Sequence, residues 1–188
     1  SDCGVLKNFP GMKFEKAGSS LIIYQEANIN KVLEKFSMID CNPVKTPMEK
    51  GLKLSLNKNV IKINKPYREL LGSLMYIMLC VRPDICYHIG YLGRFQQDPS
   101  EEHWQALKRI LRYLKGTSKN KLIYEQTNSN ALLGYADADW AGDEIDRKSV
   151  SGYVFKVYVC TVSWASRKQK TVSTSSSEAE YVALSLAV

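Results

Sequence analysis

Apolar residues recur along the chain with two different periods, and the change between them separates predicted strands from predicted helices. Two short apolar runs, Leu6 to Phe14 and Ser20 to Gln25, flank the turn-forming segment Lys16 to Ser19 and predict a β-hairpin. Pro10 has no amide hydrogen, so the first strand is expected to lie at an edge or to break there. A short helix is predicted next from the apolar positions Ile29, Val32, Leu33 and Phe36.

Residues 67–117 carry the helical period three times in succession. Apolar positions recur every three or four residues from Tyr67 to Val81, and Arg82-Pro83 ends this run. The same proline opens a second helix. Ser100 is placed to cap a third helix, for which Gly116 is a natural end. We expect these three helices to pack on one another as a small bundle.

The pattern changes to the strand type after residue 130. The segments Ala131 to Ala138, Gly152 to Val159 and Thr161 to Ala165 are rich in Val, Tyr, Phe and Trp, and their short connections predict an antiparallel meander. A final helix is predicted after Ser175. The expected fold class is α+β, with a β-hairpin and a helical bundle followed by three antiparallel strands and one helix.

Two acidic clusters in this last region are the residues that indicate chemistry. Asp137 and Asp139 end the first predicted strand, and Glu178 and Glu180 begin the final helix. Carboxylates brought together by a strand and a helix can hold Mg²⁺, which favours oxygen ligands. The competing explanation is helix capping, because Ser175 with Glu178 and Ser177 with Glu180 both match the Ser-x-x-Glu capping box.

The angular position of each glutamate on the final helix distinguishes the two explanations. At 100° per residue, Glu180 falls inside the arc of apolar positions and Glu178 falls outside it, beside Ser185. Glu180 is therefore expected to point at the sheet. Capping accounts for Glu178 well but for Glu180 less well, because a carboxylate on a core-facing arc is costly unless a cation or donor meets it.

Charge and residue usage narrow the possible functions. Residues 1–130 hold 20 Lys and Arg against 12 Asp and Glu, whereas residues 131–188 hold 6 against 7. The basic excess fits either a surface that follows a nucleic-acid backbone or solvated helix faces kept for solubility. The candidate nucleic-acid-binding residues are Lys108, Arg112, Lys115, Arg147, Lys148, Arg167 and Lys168.

The sequence gives little support for a zinc site, a nucleophilic catalytic site, a membrane span or a secretion signal. The five cysteines show no zinc-site spacing, and their odd number suits a reducing compartment. The two histidines, His88 and His103, belong to no nucleophilic arrangement. We expect neither a membrane span nor a secretion signal, because no stretch is long and apolar enough and no basic and apolar leader opens the chain.

Four ordered motifs carry a family resemblance. The segments 135–142, 146–153, 162–169 and 175–184 read YADADWAG, DRKSVSGY, VSWASRKQ and SSSEAEYVAL. They resemble the ribonuclease H region of copia-type LTR retrotransposon Pol polyproteins. Upstream, residues 6–12 resemble the primer-grip hairpin that closes the reverse-transcriptase palm. Residues 67–76, together with residues 82–85, resemble the thumb and connection helices.

The resemblance implies a site, a cofactor and a partner. Asp137 on the first strand and Glu180 on the first helix correspond to catalytic, metal-binding acids, while Asp139 and Glu178 would lie beside them. Such enzymes use Mg²⁺ or Mn²⁺ to cut the RNA strand of an RNA–DNA hybrid, with two ions clamping the attacking and leaving oxygens. The implied partners are the hybrid and the remainder of the Pol polyprotein. The implied location is intracellular, in a cytoplasmic retrotransposon particle or the nucleus.

The resemblance also implies a division of the chain. It would comprise the end of the palm with the primer-grip-like hairpin, a linker, thumb and connection-like helices, a second linker and a truncated ribonuclease H-like α/β domain. The corresponding ranges are 1–47, 48–66, 67–117, 118–130 and 131–188.

The resemblance also bears on the activity of the chain alone. The polymerase aspartates are expected upstream of this chain, and the later ribonuclease H acids beyond Val188. The resemblance therefore implies a fragment without activity of its own, in which Mg²⁺ or Mn²⁺ binding is expected to be weak or absent. Two alternatives remain open: a non-enzymatic nucleic-acid-binding or scaffold module derived from a transposon, and a decayed copy with no role.

Overall fold

The chain folds into two units that divide within a short strand, between residues 123 and 124. A computed structural model describes residues 8–54, 63–125, 131–143, 146–157 and 159–188. The division falls inside the predicted linker 118–130. The structure places the predicted hairpin, the helices and the described part of the linker 48–66 together in the first unit.

A four-stranded sheet opens the first unit. Its strands are β1 (Asn8–Phe9), β2 (Met12–Ala17), β3 (Ser20–Tyr24) and β4 (Leu122–Tyr124), in the order β1-β2-β3-β4, and β1 to β3 pair antiparallel. The predicted hairpin is confirmed, and its first run breaks at Pro10 as expected. Gly11 completes this turn at φ +71°, a backbone conformation that favours glycine. Leu6 and Lys7 lie outside the described residues.

Four α-helices supply the core of the first unit. They are α1 (Glu26–Lys35), α2 (Tyr67–Val81), α3 (Cys86–Gly93) and α4 (Glu101–Gly116), with a 3₁₀ turn at Pro83–Ile85 before α3. The predicted bundle is confirmed, because α2, α3 and α4 contact one another pairwise, and α1 adds to it by contacting α2 and α4. Its fully buried positions include Leu70, Leu74, Ile77, Ile89, Leu92, Leu107, Ile110, Leu111 and Leu114.

A buried arginine joins the end of α2 to the end of α4. Arg82 is 2% exposed and makes a bidentate pair with Asp84, with N–O distances of 2.9 and 2.7 Å. It also donates to the Thr117 carbonyl at 3.1 Å and to the Thr117 hydroxyl at 2.7 Å. Burial would raise the pKa of Asp84, but Arg82 and the Tyr113 hydroxyl hold it below its ordinary value. The network locks two helix ends that are 35 residues apart in sequence.

The start of α4 is capped by an unusual pair. The Ser100 amide donates to Nδ1 of His103 at 2.8 Å, and the His103 amide donates to the Ser100 hydroxyl at 3.5 Å. Since Nδ1 accepts a hydrogen bond, the His103 ring is neutral with its proton on Nε2. Its ring also lies 4.0 Å from that of Phe95, centroid to centroid. Burial lowers the pKa of His103, which favours the neutral form that the cap requires.

The second unit is a three-stranded sheet covered by one helix. Strands β5 (Leu133–Asp139), β6 (Val150–Val157) and β7 (Cys160–Lys168) pair antiparallel in chain order, which confirms the predicted meander. Helix α5 (Ser176–Ala187) packs against β5 and β6. None of the four cysteines that the structure describes forms a disulfide. Across the part of the chain that the structure describes, no helix is long and apolar enough to cross a membrane.

Replacing Arg82 by Met should destabilise the first unit by about 3 kcal/mol, because Asp84 loses its counter-charge and Thr117 loses both of its donors. Urea denaturation followed by circular dichroism measures this change. The matched control is Lys119→Met, which removes a cation from an exposed position and should change stability by less than about 0.5 kcal/mol. Equal effects of the two substitutions would show that the buried network contributes nothing specific.

The histidines should make the first unit less stable as pH falls from about 7 to about 5.5. Burial lowers the folded-state pKa of both His103 and His88 below 6.5. The unfolded chain therefore takes up protons first, so stability is complete above about pH 6.5 and is lost toward the folded pKa values.

Urea midpoints measured between about pH 7 and about pH 5.5 test whether the two histidines cause this loss of stability. His103→Gln keeps an acceptor for the Ser100 amide, as in a standard capping box, but removes one titrating group. This variant should lose part of the pH dependence, and a second variant, His88→Gln, should lose the rest when combined with it. If the urea midpoint of the double variant depended on pH as strongly as that of the unmodified chain, the two histidines would not be its cause.

Candidate metal centre

The two acids of β5 lie on an exposed edge strand. Asp137 pairs across the sheet with Gly152, and Asp139 pairs with Val150. Both carboxylates are exposed, and in β5 only Ala138 is half-buried. A cation arriving from solvent can therefore reach this strand without displacing protein groups.

A glycine makes room for the second acid. Asp139 and Gly142 are joined across a turn by a 3.4 Å hydrogen bond from the Gly142 amide to the Asp139 carbonyl. A Cβ atom on Gly142 would lie 1.9 Å from Oδ2 of Asp139. Any side chain at position 142 would therefore displace this carboxylate, which explains the glycine in the YADADWAG motif by close approach.

Glu178 caps the N-terminus of α5. Its amide donates to the Ser175 hydroxyl at 3.2 Å, and its carboxylate accepts from the amide and hydroxyl of Thr174 at 2.6 and 2.8 Å. The Thr174 backbone and hydroxyl donors lower the pKa of Glu178. Capping by Ser175 is confirmed, but the Glu178 carboxylate bonds the amide of Thr174 and not that of Ser175, which a full capping box would use. A role for Glu178 beside a metal stays a prediction.

The environment of Glu180 differs from the expected one. The apolar arc of α5 narrows to Ala179 and Ala183, which are fully buried, while Leu184 and Leu186 are exposed. Glu180 is exposed as well, so its expected place on a buried, core-facing arc is wrong. The physical reason is that two small residues four positions apart make a narrow contact stripe. Metal binding by Glu180 stays a prediction, and it carries no burial penalty to be offset.

The acids fit the chemistry of a hard cation but do not complete a site. Asp137, on β5, and Glu180, on α5, belong to elements that contact each other, and carboxylate oxygens suit Mg²⁺ or Mn²⁺. Within the described ranges, however, no group of three or more Asp, Glu, His or Cys side chains could hold a metal ion. Asp137 and Glu180 alone therefore do not make a complete metal site.

One of the predicted nucleic-acid-binding lysines, Lys168, is half-buried and paired with two aspartates. Nζ of Lys168 lies 2.6 Å from the buried Asp143 and 2.8 Å from Asp146, and Lys148 lies 3.8 Å from Asp146. Burial alone would lower the pKa of Lys168, but its hydrogen bonds to the two aspartates raise it overall. Lys168 thus ties the loop before β6 to the end of β7.

The arginines of this region are placed differently. Arg147 is exposed in the same loop at φ +58°, with its amide donating to the Asp143 carbonyl at 2.8 Å. Arg167 is exposed on β7, directly across from Ser151. These two cations are the predicted contacts of the second unit that the structure leaves facing solvent.

The basic face of α4 holds a loop of the first unit. Arg112 donates from Nε to the Asn42 carbonyl at 2.7 Å, and Arg109 reaches Glu49 at 2.8 Å and the Thr46 hydroxyl at 3.2 Å. Lys108 and Lys115 are half-buried. Arg109 was not predicted, because its partners lie 60 and 63 residues away and no local pattern marks them.

A buried polar network in the second unit was not predicted either. Gln169 is 6% exposed, and its Nε2 donates to the Ser151 hydroxyl and to the Ala179 carbonyl, each at 2.9 Å. Its Oε1 accepts from the Ser173 hydroxyl at 2.8 Å. The Ser173 carbonyl accepts from Nε1 of Trp140 at 3.2 Å. These bonds connect the residue after Asp139 to the helix that carries Glu180.

Comparison with known proteins identifies the family. The chain is 42% identical over 193 residues to the retrovirus-related Pol polyprotein from transposon TNT 1-94 of Nicotiana tabacum, covering 97% of this chain and 14% of that protein. It is 43% identical over 178 residues to the Pol polyprotein from transposon RE1 of Arabidopsis thaliana, covering 94% of this chain and 12% of that protein. The chain therefore spans only a small part of these polyproteins.

A third relative is much shorter. Secreted RxLR effector protein 161 of Plasmopara viticola is 50% identical over 122 residues, which cover 65% of this chain and 86% of that protein. No family model matches the chain. No solved structure matches it. On the evidence of its polyprotein relatives, the chain belongs to the Pol polyprotein family of copia-type retrotransposons.

Proposed function

We propose that the second unit is the beginning of a ribonuclease H domain, in which Asp137 and Glu180 supply two carboxylate ligands of a Mg²⁺ or Mn²⁺ site. The observation that carries the proposal is the packing of α5, which bears Glu180, on β5, which bears Asp137. In a complete site such ions would clamp the attacking and leaving oxygens of the cleaved RNA strand. The first unit is then the end of the reverse-transcriptase region.

The substrate class that fits this proposal is an RNA–DNA hybrid. Arg147 and Arg167 are exposed cations of the second unit, and cations near a duplex neutralise phosphates and release counterions. The whole basic excess of the chain lies in residues 1–130, which would add affinity that does not depend on sequence. Lys168 contributes by holding the loop that carries Arg147 rather than by binding phosphate itself.

We expect this chain alone to bind a hybrid without cutting it. Two carboxylates leave a two-ion clamp incomplete, and the described residues supply no group of three ligands. In the whole polyprotein, further segments would complete the site.

A second candidate function has one observation in its favour. The effector from Plasmopara viticola is covered over 86% of its length, so a region like this one occurs in a relative much shorter than the Pol polyproteins. We therefore keep a non-enzymatic nucleic-acid-binding or scaffold module as the alternative. Under this alternative hybrid binding would persist but would not respond to changes at Asp137 or Glu180.

Binding of Mn²⁺ separates the two proposals. Electron paramagnetic resonance counts the free ion, and Asp137→Asn and Glu180→Gln should each weaken its binding about tenfold, because each removes one charged ligand. The matched control is Glu34→Gln, which neutralises an exposed carboxylate on α1 and should leave Mn²⁺ binding unchanged. Equal binding by all four proteins would refute the metal site.

Hybrid binding and cleavage are tested with a labelled RNA–DNA duplex. Fluorescence anisotropy should show that the affinity of the unmodified chain for the duplex falls steeply as the salt concentration rises. The double variant Arg147→Ala, Arg167→Ala should have a smaller slope of log K against log salt, by about 1 for each phosphate that is no longer neutralised. The matched control, Arg147→Lys with Arg167→Lys, keeps both positive charges and should leave the slope unchanged. Cleavage by the unmodified chain that Asp137→Asn abolishes would contradict the expected inactivity, and absence of binding at low salt would contradict the substrate class.

A further inference from the structure

The buried amide of Gln169 meets three separate segments of the second unit. Its side-chain nitrogen donates both hydrogens, one to Ser151 on β6 and one to the backbone carbonyl of Ala179 on α5. Its side-chain oxygen accepts from Ser173 in the loop between β7 and α5. In addition, the backbone amide of Gln169 donates to the Ser149 carbonyl at 2.9 Å. Because both amide hydrogens and the amide oxygen are hydrogen-bonded, the side chain is held in one position.

The two ends of this network lie beside the two proposed ligands. The Ala179 carbonyl belongs to the peptide unit that leads directly into Glu180. Ser151 lies directly across the sheet from Ala138, the neighbour of Asp137. One amide side chain therefore connects Ser151, on the strand next to that of Asp137, to the carbonyl of Ala179, the residue before Glu180.

A second set of hydrogen bonds connects Gln169 to the end of β5, through the loop between β7 and α5. Trp140, which follows Asp139, donates from Nε1 to the Ser173 carbonyl, and the Ser173 hydroxyl donates to Gln169. The hydrogen-bond chain thus runs Trp140, Ser173, Gln169, Ala179. It joins the end of β5 to the first turns of α5 independently of the apolar contact made by Ala179 and Ala183.

This link matters because the apolar contact is narrow. Ala179 and Ala183 are the buried positions of α5, and alanine side chains fix the sliding and rotation of a helix on a sheet less firmly than large interlocking side chains. A hydrogen bond to the Ala179 carbonyl sets the rotation of the helix at the residue before Glu180. Without it, the carboxylate could move relative to β5 while the unit stays folded.

We propose that Gln169 is a positioning residue, which holds α5 in the rotation that presents Glu180 toward the metal shared with Asp137. The inference rests on the proposed function of these two acids. Gln169 does not touch the metal or the substrate. It acts through the Ala179 peptide and through Ser151.

Hydrogen–deuterium exchange of the full chain tests the mechanical part of this proposal without any metal. Gln169→Met keeps the length of the side chain but removes its hydrogen-bonding groups, and it should raise exchange of the α5 amides about tenfold. Ser173→Ala removes only the bond to Oε1 and should raise exchange by a smaller factor. It also keeps the test decisive if Gln169→Met fails to fold.

A matched control separates positioning from general loss of stability. Cys160→Ala removes a buried thiol at the opposite end of the β6–β7 hairpin, where Cys160 pairs with Val157. Exchange in α5 should change less than about twofold in this variant. Equal increases in Cys160→Ala and in the Gln169 and Ser173 variants, or none in the latter two, would overturn the proposal.

Mn²⁺ binding then tests the functional part. Gln169→Met and Ser173→Ala should weaken the Asp137-dependent binding of Mn²⁺, the former about fivefold or more, while Cys160→Ala should not. Increased exchange in α5 with unchanged Mn²⁺ binding would overturn the positioning role. If the unmodified chain showed no Mn²⁺ binding that depends on Asp137, the proposed metal site would fail, and the exchange data would still decide whether Gln169 tethers α5.

Discussion

A polar side chain that leaves water must find its hydrogen-bond partners inside the protein, and each unit depends on one that does so. Arg82 brings a full charge into the first unit and is matched by one carboxylate and both oxygens of Thr117. Gln169 brings a neutral amide into the second unit and is matched by two hydroxyls and a carbonyl. Since unsatisfied buried groups cost about 1–3 kcal/mol each, these partners fix which segments lie together.

The two buried polar side chains lie in units whose apolar cores differ in size. In the first unit, fully buried leucines and isoleucines from α2, α3 and α4 already specify how the helices pack, so Arg82 adds the connection between helix ends. In the second unit the helix meets the sheet through two alanines, and β5 is exposed along nearly its whole length. Polar contacts therefore have a larger share in deciding where α5 lies.

Local patterns in the sequence were sufficient to predict the elements but not the contacts between distant residues. The three-and-four period from Tyr67 to Val81 and the capping signal at Ser100 depend on neighbouring residues, so both were predicted correctly. Arg82 with Thr117 and Gln169 with Ser151 depend on partners brought close only by folding. The arc of apolar positions on a helix also predicts too many buried residues when the surface that the helix faces is small. For this reason Glu180 was expected to be buried, although it is exposed.

Exposure changes what the candidate acids can do. A buried carboxylate without a partner would need a cation or a donor to offset its desolvation, and this was the first reason to single out Glu180. The exposed carboxylates of Asp137 and Glu180 stay hydrated, so a metal must compete with water for them and gains from each ligand only if the ligands are held together. Preorganisation rather than burial then determines the affinity of such a site. In this unit the rigidity that preorganisation needs comes from the Gln169 network, because neither the edge strand nor the alanine stripe supplies it.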